Sequence, residues 1–199
     1  MPKSNQIIPA PLREALFDCF DAATRLVRTS LRCQLVLRTE DVDVAGPTAV
    51  LTDICEGVSS GAQGFSLESD GKIAFDAPQG FRVRLELIEI GNGCIERIHV
   101  AEPFRGASVA SISDLLRLRA VTMVERGRDG DVDDFRWLLE SMAREAEVLP
   151  GLGNQELEYM MGAGACLRIL DRLVLIAVLG ANNGAAVCGL LQKTLEYKY

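Results

Sequence analysis

Between Pro9 and Thr29 the apolar side chains recur at steps of three and four: Leu12, Leu16, Cys19, Phe20, Ala23, Leu26 and Val27. That is the period of an amphipathic helix with one buried stripe. Pro11 suits its first turn, where a missing N–H costs nothing. From Gln34 the pattern changes. Leu35-Val36-Leu37 is a short apolar run and Asp41-Val42-Asp43-Val44 alternates, so Gln34 to Val44 reads as extended chain, broken by Gly46-Pro47. Thr48 to Cys55 predicts a short helix with Pro47 near its start, and the Gly/Ser-rich stretch Gly57 to Gly64 predicts a loop. Lys72 to Ala77 reads as a short strand. Phe81 to Ile90 sets Phe81, Val83, Leu85 and Leu87 against Arg82, Arg84, Glu86 and Glu89, which is a strand. Gly91-Asn92-Gly93 then turns the chain into Cys94–Val100, a hairpin.

From Ser111 onward the period is helical. Ser111 with Asp114 three residues later fits a capped start, and Leu115, Leu116, Leu118, Val121 and Val124 lead to a stop at Gly127. Val132 to Arg144 predicts a second helix. After Pro150-Gly-Leu-Gly153 come Glu156 to Ile169, Leu170 to Leu179 and Gly184 to Tyr199, with Gly180-Ala-Asn-Asn-Gly184 as a helix break. There is no internal repeat. The composition shift at Pro150 predicts an α/β part over 1–150 and a helical extension over 151–199. The fold class is α/β (α+β): a small mixed sheet flanked by helices, then a helical C-terminal part. Leu173 to Leu191 carries no charge, but its continuous apolar run ends at Leu179, far short of the ~20 residues a bilayer needs. It predicts a buried helix or an interface with another subunit, a homo-oligomer or a protein partner, and not a membrane span.

Composition narrows the function. Hydrophobic residues are 48% and charged residues 25% of the 199, an ordinary globular balance that excludes a largely disordered chain. The net charge of −7 argues against an extended nucleic-acid surface, though a small nucleotide held through a cation remains compatible with it. None of the six cysteines forms a C-x-x-C pair, so they read as reduced, mostly buried thiols. The N-terminus has no signal-peptide profile, and together these predict a cytoplasmic or nuclear protein. A single histidine, His99, excludes a multi-His zinc site and reads as structural.

The candidate chemistry lies in Thr39-Glu-Asp-Val-Asp-Val44. Residues two apart on a strand share a face, so Asp41 and Asp43 project together, with Cα atoms ~6.5–7 Å apart. Paired carboxylates suit oxygen-seeking cations such as Mg²⁺. A third carboxylate on a neighbouring strand completes such a cluster, and Glu86 in Leu85-Glu-Leu87 is the candidate; Glu89 falls on the opposite face by parity. The same D-x-D also fits a solvated strand face with Val42 and Val44 in the core.

These residues resemble the nucleotidyltransferase-fold superfamily, which includes the polymerase-β-like enzymes. Thr39–Val44 looks like its paired-carboxylate strand and Leu85-Glu86-Leu87 like its third-carboxylate strand. Val109-Ala-Ser-Ile-Ser-Asp-Leu-Leu-Arg-Leu-Arg-Ala120, with Arg126 and Asp131-Val-Asp-Asp-Phe135, is similar to the helical segment of abortive-infection-type nucleotidyltransferases and of a group of fungal proteins. Arg119 stands where that pattern has Lys, and Asp131 and Asp134 match its acidic pair. The resemblance covers roughly residues 10 to 140. It implies Asp41, Asp43 and Glu86 as catalytic metal ligands, Mg²⁺ as cofactor, a nucleoside triphosphate as ligand, and Arg119 as a phosphate or structural partner. It also exposes a departure. The superfamily carries a Gly-Gly or Gly-Ser turn, opening a helix, between its first strand and the D-x-D strand. Here no glycine lies between Ser30 and Ala45, and there is no room for a helix. The expectation is a nucleotidyltransferase-related protein with impaired or lost transfer, a pseudoenzyme; the alternative is a non-catalytic interaction module using the apolar Leu170–Leu191 surface.

Overall fold

The structure is a computed structural model that describes residues 8–28, 34–37, 41–91, 98–99, 101–105 and 107–196. The chain divides into two compact units, one over 7–110 and one over 111–199. This break falls ahead of the composition shift at Pro150, because the helices on either side of Pro150 share one core.

The first unit contains α1 (Ala10–Leu26), β1 (Gln34–Leu37), β2 (Asp41–Gly46), α2 (Thr48–Ser59), β3 (Phe65–Leu67), β4 (Ile73–Asp76), β5 (Arg82–Glu89), β6 (Ala101–Phe104) and β7 (Ala107–Ala110). The strands form one seven-stranded mixed sheet in the order β3-β4-β5-β2-β1-β7-β6. β2 is parallel to β5 and antiparallel to β1, while β1 is parallel to β7. Alternation decides which face is dry. Val42 and Val44 of β2, Val83 and Leu85 of β5, and Ile73 and Phe75 of β4 pack with Leu16, Phe20 and Ile54 of α1 and α2.

The helix starting at Thr48 runs past Cys55 to Ser59, into the first three residues of the Gly57–Gly64 stretch that reads as a loop. Gly57 belongs there for a packing reason. A Cβ at that position would lie 3.1 Å from Leu26 Cδ2, so the glycine lets α2 approach α1 closely. Strands β3, β6 and β7 are short, and β6 even contains Pro103, tolerated because β6 is an edge strand. Apart from Ile98 and His99, neither of which is in a strand, the hairpin partner predicted over 94–100 lies outside the described residues.

The second unit is helical: α3 (Ile112–Arg126), α4 (Asp129–Arg144), α5 (Asn154–Cys166), α6 (Ile169–Leu179) and α7 (Gly184–Glu196). Ser111 caps α3 by accepting the Asp114 N–H at 3.2 Å, and Gly127 ends it. Leu116 and Met123 of α3, Phe135, Leu139 and Met142 of α4, Met160 of α5, Leu175 and Leu179 of α6 and Leu190 of α7 form its core. Three buried polar side chains stitch it. Arg172 donates to the carbonyls of Gly164 (2.9 Å), Ala165 (3.3 Å) and Leu167 (3.1 Å), satisfying the open end of α5. Asn183 bridges Leu152 N–H, Pro150 C=O and Leu179 C=O at the helix break. Arg117 bridges α3 and α5 through Asp114 and Glu156.

α6 and α7 meet at a bend of 100°, and among the described residues no single helix is long and apolar enough to cross a membrane. The cysteines differ from the sequence expectation. Cys19 is buried, and burial pushes its thiol up to about 12, but Cys55, Cys166 and Cys188 are exposed free thiols. Scattered apolar neighbours in sequence do not bury a cysteine when the helix turns that position outward.

Candidate functional site

The site grows from the register of two parallel strands. β2 pairs with β5 so that Asp41 faces Arg84, Val42 faces Leu85 and Asp43 faces Glu86. With Val42, Val44, Val83 and Leu85 committed to the helical side, Asp41, Asp43 and Glu86 fall on the other face of the sheet. Each of the three offers one carboxylate oxygen, and these oxygens all lie within 4.8 Å of one another. Asp43, 3% exposed, is the buried member, while Asp41 and Glu86 are half-buried. The pairing of Asp43 with Glu86 across the parallel ladder explains the convergence, because neighbouring strands lie only ~4.7–4.9 Å apart and the two residues share a face. Three negative groups at this range repel unless a cation lies among them. The donor set is oxygen only, the chemistry of a hard divalent cation such as Mg²⁺ or Mn²⁺ and not of a thiol- or imidazole-seeking metal.

Lys72, in the turn before β4, places Nζ 3.4 Å from Glu86 Oε1. Arg84, the cross-strand neighbour of Asp41, pairs instead with Glu68 at 3.2 Å. The sequence pattern singles out neither cation, since each is separated in the chain from the carboxylate it neighbours in the sheet. Glu89 takes no part in the trio: it accepts a hydrogen bond from Thr48 Oγ1 at the start of α2. Arg119 belongs to the helical unit, where its guanidinium pairs with Asp131 at 3.1 Å and Asp134 at 3.2 Å. The arginine and the two acids of the helical motif are therefore one ion-pair set.

An antigenic nucleotidyltransferase-like protein from Paracoccidioides brasiliensis has a similar crystal structure, with a TM-score of 0.51 at 16% identity, covering 92% of this chain and 90% of that one. The chain has the nucleotidyltransferase fold. Two Helicobacter pylori structures are more distant: a candidate nucleotidyltransferase (TM-score 0.46, 11% identity, covering 96% and 99%) and JHP933 (TM-score 0.43, 10% identity, covering 96% and 98%). No protein-family model and no curated protein matches the sequence.

Within the nucleotidyltransferase fold the departure from the superfamily pattern acquires a structural form. β1 and β2 are antiparallel neighbours with Leu37 opposite Val42, and the sequence puts only Arg38, Thr39 and Glu40 between them. A glycine turn opening a helix would present consecutive backbone N–H groups to phosphate oxygens. The sequence between β1 and β2 has neither the glycine nor the length for one.

Proposed function

We propose that this chain is a nucleotidyltransferase-related protein that keeps a divalent-cation site on Asp41, Asp43 and Glu86 and has lost most of its capacity for nucleotidyl transfer. The convergence of the three carboxylate oxygens carries the reading. When bound there, Mg²⁺ would polarise phosphate oxygens and hold attacking and leaving groups in line. The chain's own residues supply the rest. Asp43, opposite Glu86 and buried, fixes the ligand geometry, and Asp41 and Glu86 face outward enough to admit a nucleotide's phosphates. What weakens turnover is the short, glycine-free sequence between β1 and β2: a triphosphate would be held through the cation without a backbone cradle.

Isothermal titration with Mn²⁺, then with a non-hydrolysable ATP analogue, tests this reading. Mn²⁺ binds saturably to the wild type and not to Asp41→Asn/Asp43→Asn. The analogue binds only when the metal is present, and in the millimolar range expected without a phosphate cradle, about −4 kcal/mol. A well-folded wild type that binds neither metal nor analogue would overturn the proposal.

A second reading rests on Ile169, Leu170, Leu173, Leu191 and Leu195, which are exposed on α6 and α7. They support a protein-contact role for the C-terminal helices that does not depend on the metal site, whether the partner is a second copy or another protein.

A further inference from the structure

Lys72 stands at the end of a row of charges that crosses three strands. The register of β4 on β5 pairs Ile73 with Leu85, so one step further along sets Lys72 opposite Glu86, and Glu86 is opposite Asp43. Parity puts all three on the face away from the helices, because Ile73 and Leu85 are in the core. The turn that precedes β4 holds Lys72 there. Its backbone N–H donates to Asp70 Oδ1 at 3.2 Å, its carbonyl accepts the Glu68 N–H at 2.7 Å, and Gly71 takes φ +80°, which its missing Cβ permits. The ammonium then lies 3.4 Å from Glu86 Oε1, with both side chains nearly half exposed.

Resting on the metal-site reading above, we propose that Lys72 is a tethered cation competing with the divalent metal for Glu86, and so sets the metal affinity of the acidic trio. An exposed Lys–Glu pair is weak and readily displaced. A divalent ion joining the three carboxylates competes with Lys72 for the Glu86 carboxylate and must tolerate a positive charge a few ångströms away. Lys72 therefore lowers metal affinity twice, by occupying a ligand and by repelling the bound ion. Arg84, also beside the trio, is held by Glu68, and Arg82 lies further along β5 in pairs with Glu68 and Asp76. Neither engages the three ligands in the same way.

The test is isothermal titration of Mn²⁺ alone into the full chain, with Lys72→Met, Lys72→Arg and Arg82→Met, all checked for wild-type circular dichroism. Lys72→Met tightens Mn²⁺ binding about three- to tenfold, the size expected for removing one nearby displaceable charge. Lys72→Arg, which keeps the charge, stays near wild type, and Arg82→Met changes affinity by less than about twofold because it loses a charge away from the ligands. Two results overturn the Lys72 proposal and leave the metal site standing: equal affinity in wild type and Lys72→Met, or the same tightening in Arg82→Met. Absence of saturable binding in every variant, Lys72→Met included, overturns both readings together.

Discussion

Replacing Arg117 with Met destabilises the helical unit by about 3–5 kcal/mol, read as a lower urea midpoint with an unchanged slope. Arg117 is 6% exposed, and its guanidinium lies between Asp114, which is fully buried, and Glu156. Both acids are also tied locally. Asp114 accepts from Ser111 Oγ at 2.8 Å, and Glu156 accepts the Gly153 N–H at 2.8 Å. The ends of α3 and α5 therefore meet through one ionic network. Methionine fills much of the volume but takes the guanidinium away from the buried Asp114 carboxylate, and the loss of that charge pairing sets the magnitude. Adding Asp114→Asn to Arg117→Met recovers a large part of the loss, because the remaining group is neutral. A single variant within about 1 kcal/mol of wild type would show that the network is not what holds the two helices.

Mn²⁺ raises the melting temperature of the wild type by about 10 °C at a hundredfold excess over its dissociation constant, and this rise vanishes in Asp41→Asn/Asp43→Asn. The size follows from linkage, since an ion that binds only the folded state at that excess adds about 2.7 kcal/mol. The unfolded chain does not hold the trio together, because Glu86 reaches the two aspartates only through the β2–β5 pairing. Differential scanning fluorimetry with Mn²⁺, Mg²⁺ and a monovalent salt control checks it. An equal rise in the double variant would place the ion elsewhere.

Much of this fold is legible in the chain because its signals are periodic. The Phe81–Leu87 alternation became β5, and the Ser111 cap and Gly127 stop bound α3 within a residue. The Asp41/Asp43/Glu86 trio was legible for the same reason: D-x-D fixes one face of β2, and Glu86 sits off the apolar parity of β5. Other features depend on pairing that no local pattern encodes. Strand β7 (Ala-Ser-Val-Ala) is extended because it lies beside β1, not because its residues favour it. Gly57 looks like loop punctuation until Leu26 is seen against it. The exposure of Cys55, Cys166 and Cys188 depends on which way each helix faces, and Lys72 reaches Glu86 only through the β4–β5 ladder.

The proposal that Asp41, Asp43 and Glu86 hold a divalent cation, in a chain with no glycine turn between β1 and β2, has a direct crystallographic test. Crystals grown with Mn²⁺ and measured at a wavelength where manganese scatters anomalously test it most directly. The expected result is an anomalous peak within ligand distance of carboxylate oxygens from Asp41, Asp43 and Glu86, ~2.0–2.6 Å for hard cations on oxygen. Well-diffracting crystals at millimolar Mn²⁺ with no peak at the trio would contradict it.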